Sequence, residues 1–194
     1  MTTARRGRPR SFDAKVALSQ ASDAFRHGGY ASTSLDDIVR ATGLNRPSLY
    51  AAFGDKKALY VAAIEALRDG IGRQFDNLAA LDLPLNETLS VMFARSTDAY
   101  LSGPSGPRGC LAICTASAEA VADAEIRAAL AEVLEMIDGR VTGFFARAGH
   151  PQPERQARLV AAVMHSISVR ARAGSPRAIL DQMGADAVSQ LAGR

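Results

Sequence analysis

Apolar positions recur at three- and four-residue steps along most of the chain, the spacing of helices that bury one face. No convincing alternating run bounded by hairpin turns interrupts them. Asp13 caps a first helix bearing Leu18, Ala21 and Phe25, and His27-Gly28-Gly29 closes it. Ser34 caps a short second helix with Leu35, Ile38 and Val39 on one face, and Gly43 turns the chain two helical turns later. Asn45 caps an equally short third helix, in which Pro47 suits the first turn and Leu49 and Phe53 form the buried stripe. Asp55 caps a longer fourth helix, read from Lys56 to about Arg73 through Leu59, Ala63 and Leu67.

The later segments lengthen. Residues 86–101 are amphipathic through Leu89, Phe93 and Tyr100, and Gly103-Pro104-Ser105-Gly106-Pro107 breaks the pattern. Helical patterning resumes near Cys110 and runs to about Val121. Asp123 starts a long helix with Ile126, Leu130, Val133, Ile137 and Phe144 in register, ended by Gly149 and Pro151. Residues 153–173 and 176–191 supply the last two helices. The expectation is an all-α chain of about nine helices.

Composition narrows the class. Of 194 residues, 47% are hydrophobic and 22% charged, a globular balance. No apolar stretch approaches the ~18 to 20 residues that cross a bilayer, and no apolar signal core follows the N-terminal arginines, so a soluble cytoplasmic protein without a membrane partner is expected. Two cysteines and three histidines point to neither a disulfide scaffold nor a structural zinc module, and no cofactor is expected. Charge is uneven. Residues 1–57 hold ten Lys or Arg against five Asp, whereas residues 58–194 hold thirteen Arg against fifteen acids. A basic end on a mildly acidic body suggests that this end meets a polyanion.

Residues 33–53 form a tight helix, turn, helix unit whose length and glycine suit a helix-turn-helix that places its second helix in a major groove. With Leu49 and Phe53 buried, Arg46, Pro47, Ser48, Tyr50 and Ala51 lie near the exposed side or the N-terminal end. Arg46 can read guanine through two hydrogen bonds, Ser48 can bond a base or phosphate, and Tyr50 can reach a phosphate. Pro47 and Ala51 can approach a thymine methyl. Helix starts at Thr33-Ser34 and at Asn45, and the cation Lys56 at the next start, favour phosphate oxygens. Arginines 5, 6, 8 and 10 form an arm suited to a minor groove or to phosphates.

The run Thr33-Ser34-Leu35-Asp36-Asp37-Ile38, then Ala41-Thr42-Gly43-Leu44, Ser48-Leu49-Tyr50, Phe53-Gly54-Asp55-Lys56 and Ala58-Leu59, closely resembles the N-terminal domain of TetR-family transcriptional repressors. The lead-in Gly7-Arg8-Pro9-Arg10-Ser11-Phe12, with Ala21, Phe25, Gly29 and Tyr30, extends the resemblance over roughly residues 7–60. It departs where many relatives carry a bulkier aromatic or His after the tyrosine, because here Ala51-Ala52 follows Tyr50. The resemblance implies that the third helix is the recognition helix and that Tyr50 and Lys56 hold phosphates. It also implies a homodimer on a pseudo-palindromic double-stranded DNA operator, released by a small-molecule inducer and without catalytic activity. Residues 1–57 would be the arm and DNA-binding domain, and 58–194 a ligand-binding and dimerisation domain paired through its last two helices.

The body gives weaker signals. Phe93, Tyr100, Cys110, Cys114, Met136 and Phe144 are apolar or mixed residues of the middle helices and are the candidate inducer contacts, although each is equally good core material. Cys110 and Cys114, four apart, share a helix face. They offer the alternative of a redox- or metal-sensing regulator, with Arg108 near enough to lower a thiol pKa, but buried small apolar roles are favoured. His165 near Ser166 and Ser168 has no carboxylate or oxyanion hole in register, so it reads as a surface or dimer-interface histidine rather than a catalytic one.

Overall fold

The computed structural model describes residues 12–103 and 106–192, so the arginine arm lies outside the described residues. Within them the chain forms nine α-helices and no strand. The first three are α1 (Ala14–Gly28), α2 (Leu35–Thr42) and α3 (Arg46–Phe53). The body follows with α4 (Lys56–Ala79), α5 (Leu85–Leu101), α6 (Ser117–Glu119), α7 (Ala124–Arg147), α8 (Pro153–Arg172) and α9 (Arg177–Leu191). No helix among the described residues is long and apolar enough to cross a membrane.

The caps expected from the sequence set the helix starts. Asp13 accepts from the N–H of Lys15 and Val16, Asn45 from Ser48, Asp55 from Ala58, and Asp123 from Glu125 and Ile126. Ser34 and Asp37 satisfy each other's backbone N–H in a capping box. Gly43 takes the left-handed conformation (φ 67°) that ends α2 and aims α3.

Two expectations change. The fourth helix does not stop near Arg73 but continues to Ala79, because Phe75 and Leu78 extend its buried stripe. The stretch read as helix from Cys110 is not a regular α-helix. Residues Ala112–Ala116 form a π-turn that leads into the short α6. The Thr115 hydroxyl donates to the Leu111 carbonyl at 2.6 Å and the Ser117 hydroxyl to Ile113 at 2.9 Å. Side chains that bond backbone carbonyls in this way perturb the regular ladder.

The body packs α7 against α8 and α4, and α5 against α9 and α8. Gly184 lets α9 close on α5, since a Cβ there would lie 3.0 Å from Phe93 Cβ. The small unit α1–α3 docks on α4 through an aromatic cluster. The Tyr60 ring lies 4.9 Å from Phe25 and 4.8 Å from Tyr30. Burial pushes the Tyr60 hydroxyl up to about 12, and it bonds Thr115 at 2.5 Å, tying α4 to the π-turn.

An arginine clasp adds a second tie. Arg108 Nη1 pairs with Asp23 of α1 at 2.7 Å while its Nε donates to the Ser102 carbonyl at 3.0 Å. Arg172 of α8 donates to the carbonyls of Arg26 at 2.7 Å and Arg108 at 3.2 Å.

Candidate functional site

The reading face is built on one anchor. Leu49 is buried under α3, whereas Arg46, Pro47, Tyr50 and Ala51 are exposed and Ser48 is half-buried. Truncating Leu49 to alanine would remove the anchor at a cost of about 2 to 5 kcal/mol. Asn45 is exposed, but its side-chain oxygen is spent on the Ser48 N–H, which fixes the start of α3. Arg46 is held by Asp36 of α2 at 2.8 Å, a contact that raises the guanidinium pKa and that a base would have to replace. Both partners are largely exposed, so the pair is weak and exchangeable. Lys56 lies 4.4 Å from the centre of the Tyr30 ring, a cation–π contact that positions it at the start of α4.

Thr33 is corrected by the structure. Its side chain is buried and its hydroxyl donates to the Gly29 carbonyl at 2.6 Å, so it pins the α1–α2 turn and has no free hydroxyl for DNA. Ser34 beside it is exposed, with its hydroxyl engaged in the α2 capping box.

A half-enclosed cavity of about 220 Å³ opens inside the body. Its apolar wall comes from Leu67, Ile71, Phe75 and Leu78 of α4, Met92 of α5 and Met164 of α8. Of the six residues expected to contact a ligand, Tyr100 and Cys110 line this cavity. The other four do not. Phe93 packs against Gly184, Cys114 Sγ lies 3.4 Å from Ser168 Oγ, and Phe144 stacks on Phe75 at 5.9 Å between ring centres. Met136 is half-buried on α7 and packs against the core. Burial pushes the Tyr100 hydroxyl far above its ordinary value.

His165 is a second correction. It faces the cavity rather than the surface, and burial lowers its pKa, partly offset by Asp138. The sequence reading also missed Arg26 at the end of α1, which shares the cavity wall with Ser102, Gly109, Cys110 and Ile113, and Arg95 on α5. One helix position beyond the buried Phe25, Arg26 carries no sequence signal of a cavity, because a distant segment makes the wall.

The surroundings of Cys110 do not favour a thiol sensor. Burial pushes the Cys110 thiol up, away from the reactive thiolate, and the Arg108 guanidinium is spent on Asp23 and Ser102 instead of a cysteine. Among the described residues no cluster of His, Cys, Asp or Glu is arranged to hold a metal.

On the outer side, α8 and α9 present an open apolar groove lined by Leu159, Ala162, Val163, Met183, Ala187 and Leu191. Its lining runs from Leu159 to Ser166 on α8 and from Met183 to Leu191 on α9, includes the polar Asp186 and Gln190, and leaves Leu159 44% exposed.

Residues 17–63 match the family of bacterial regulatory proteins of the tetR type, and residues 85–193 match the tetracyclin repressor-like C-terminal domain. The transcriptional repressor ComR of Escherichia coli (strain K12) is 35% identical over 113 residues, covering 57% of this chain and 53% of ComR. The chain thus aligns with about half the length of that relative. BdcR, a transcriptional repressor from the same organism, is 28% identical over 172 residues, 87% of this chain and 83% of BdcR. Among solved structures, a cysteine mutant of the TetR-family regulator CifR, complexed with 26-bp operator DNA, superposes with a TM-score of 0.78. It is 30% identical, over 95% of this chain and all of that one. A TetR regulator from Legionella pneumophila shares the fold with a TM-score of 0.83 at 18% identity, over 93% of this chain and 98% of that one. The α3 reading face and the matches to both halves of the chain make this protein a DNA-binding transcriptional regulator of the TetR family, which is a family of non-enzymatic proteins.

Proposed function

We propose that the protein is a cytoplasmic repressor that binds a pseudo-palindromic operator as a homodimer and leaves it when a small molecule fills the cavity. The observation that carries the ligand response is the cavity's wall. Arg26 belongs to α1 of the reading unit, and five wall residues belong to α4, which runs on from it. A ligand that fits only one arrangement of these helices shifts the population toward that arrangement. The operator needs the two recognition helices about 34 to 36 Å apart, one DNA turn. The ligand-favoured form would hold them at another spacing.

The outer groove on α8 and α9 supports dimerisation, since two copies facing each other would cover Leu159 and Val163 in a four-helix bundle. Within this reading Arg46, Pro47, Ser48 and Ala51 meet bases or nearby phosphates. Tyr50, Lys56, and the helix starts at Ser34 and Asn45 position the backbone. Residues 1–57 act as the DNA-binding part and 58–194 as the ligand and dimer part.

The test is fluorescence anisotropy on the intergenic DNA beside the gene, with a scrambled duplex as control, at two salt concentrations. Tight binding by dimers that prefers the native duplex is expected. Equal weak binding to both there, and to all fragments in a genome-wide selection, would overturn the reading. Leu159→Glu should shift the protein to monomer in sedimentation and abolish tight operator binding.

A further inference from the structure

The permanently charged side chains of the cavity lining are both cationic. Arg26, Arg95 and His165 face it, and among the described residues no Asp or Glu does. Neither arginine has a carboxylate within ion-pairing distance among the described residues, in contrast to Arg108, Arg140 and Arg177. On two of these side chains a polar atom is buried without a hydrogen-bond partner, Arg26 Nε and His165 Nε2. A guanidinium has only N–H groups to give, so the missing partner of Arg26 is an acceptor, and a negatively charged one is bound most strongly. The rest of the wall is mixed, with Leu67, Ile71, Phe75 and Met92 forming an apolar stretch beside the neutral polar Gln74, Ser96, Tyr100 and Ser102. At about 220 Å³ the space is below the range of drug-sized sites.

From this geometry we propose that the effector is a small organic monocarboxylate, with an apolar body against α4 and α5 and its carboxylate on Arg26. This deepens the ligand response proposed above and rests on it. Arg95, exposed at the cavity rim, favours entry of an anion. His165 marks a second polar position, where burial disfavours the charged imidazolium, so a hydroxyl or carbonyl on the ligand suits it better than a second charge. The site also explains the position of Arg26. A carboxylate bound to it joins the last turn of α1 to α4 and α5, so that effector charge reaches the DNA-reading unit without an intermediary.

The experiment is calorimetric titration of the full-length chain with two matched sets of probes. One is phenylacetate, phenylacetamide and phenethylamine, and the other is hexanoate, hexanamide and hexylamine. Operator release is followed by anisotropy in parallel. The carboxylate of at least one set should bind at least about tenfold more tightly than its amide and amine, as expected for a charge-assisted hydrogen bond. Arg26→Gln should erase that preference, whereas Arg140→Gln, outside the cavity, should keep it. If Arg26→Gln does not fold by circular dichroism, Arg95→Gln must reduce the same preference. Amide or amine binding as tight as the carboxylate, or no carboxylate binding at millimolar concentration, overturns the proposal. Release of operator by an amide or amine would leave the ligand response standing while the anion assignment fell. Absence of operator binding in the unliganded protein would bring down the repressor reading itself.

Discussion

Replacing Asp23 with alanine should destabilise the protein more than replacing Arg108 with methionine, although the two changes break the same ion pair. The Arg108 side chain is only 9% exposed, whereas Asp23 is 46% exposed. Removing Asp23 leaves a guanidinium that cannot lose its proton in a nearly dry position, with the Ser102 carbonyl as its remaining side-chain acceptor. An uncompensated buried charge costs about 3 to 5 kcal/mol, and the surviving bond to Ser102 brings the expectation down to about 2 to 3 kcal/mol. Removing Arg108 instead leaves a carboxylate that water reaches, and methionine fills much of the stem's volume. The loss is then about 1 kcal/mol. The double mutant should resemble Arg108→Met alone, which requires a coupling of about 2 to 3 kcal/mol in the cycle. Urea unfolding followed at 222 nm, at one fixed protein concentration, measures all four variants. Equal losses for the two single mutants, or a larger loss for Arg108→Met, would refute the assignment of the cost to the buried cation.

Three further predictions address the backbone, the reading face and pH. Gly109→Ala should cost about 3 kcal/mol or more, because its φ is +66° and a Cβ would sit 2.6 Å from Cys114 Sγ and 2.7 Å from the Ser168 carbonyl. Gly43→Ala, with similar φ but open space, should cost about 1 kcal/mol, and equal shifts in thermal melts would contradict this. Arg46→Ala should lower the preference for operator over random DNA by about 1 to 3 kcal/mol, whereas Lys56→Ala should weaken both alike and flatten the salt slope. Parallel losses in competition anisotropy would show that the two residues do not divide reading from anchoring. His165 has a folded pKa below its ordinary 6.5, so the unfolded chain binds its proton first as pH falls. Its contribution is complete above that value and is lost as pH drops toward the folded pKa. His165→Gln should remove this part of the slope in urea midpoints taken at successive pH values.

The reading unit was legible because its signals are local. Asp13, Ser34, Asn45 and Asp55 announce helix starts within three residues of the groups they cap, and Gly43 announces the turn by its own backbone. Leu49 and Phe53 define the inner side of α3, which leaves Arg46 and Tyr50 outward by geometry alone. Thr33 was misread because its burial depends on the turn after α1, where the Gly29 carbonyl takes its hydroxyl. The cavity was scarcely legible. Tyr100 and Cys110 could be chosen as mixed residues, but Arg26 looks like a solvent-facing arginine until the distant Gly109, Cys110 and Ile113 are found on the same cavity wall. Phe93 and Phe144 were equally good candidates by composition, and only the approach of Gly184 and Phe75 shows them to be packing. The π-turn is another such case, since the hydroxyls of Thr115 and Ser117 perturb a helix that apolar spacing alone would continue.

The arginine clasp has a consequence for how the protein matures. Arg172 binds the carbonyl of Arg26 from 146 positions further along the chain. During synthesis the first three helices leave the ribosome early and have their own caps and anchor, so they can take shape as a unit. The clasp that sets their angle on the body must wait until nearly the last helix has emerged, and such distant closures are made late. A nascent chain therefore holds a formed recognition helix before it holds an oriented one. Orientation of that helix on the body follows only once α8 has emerged.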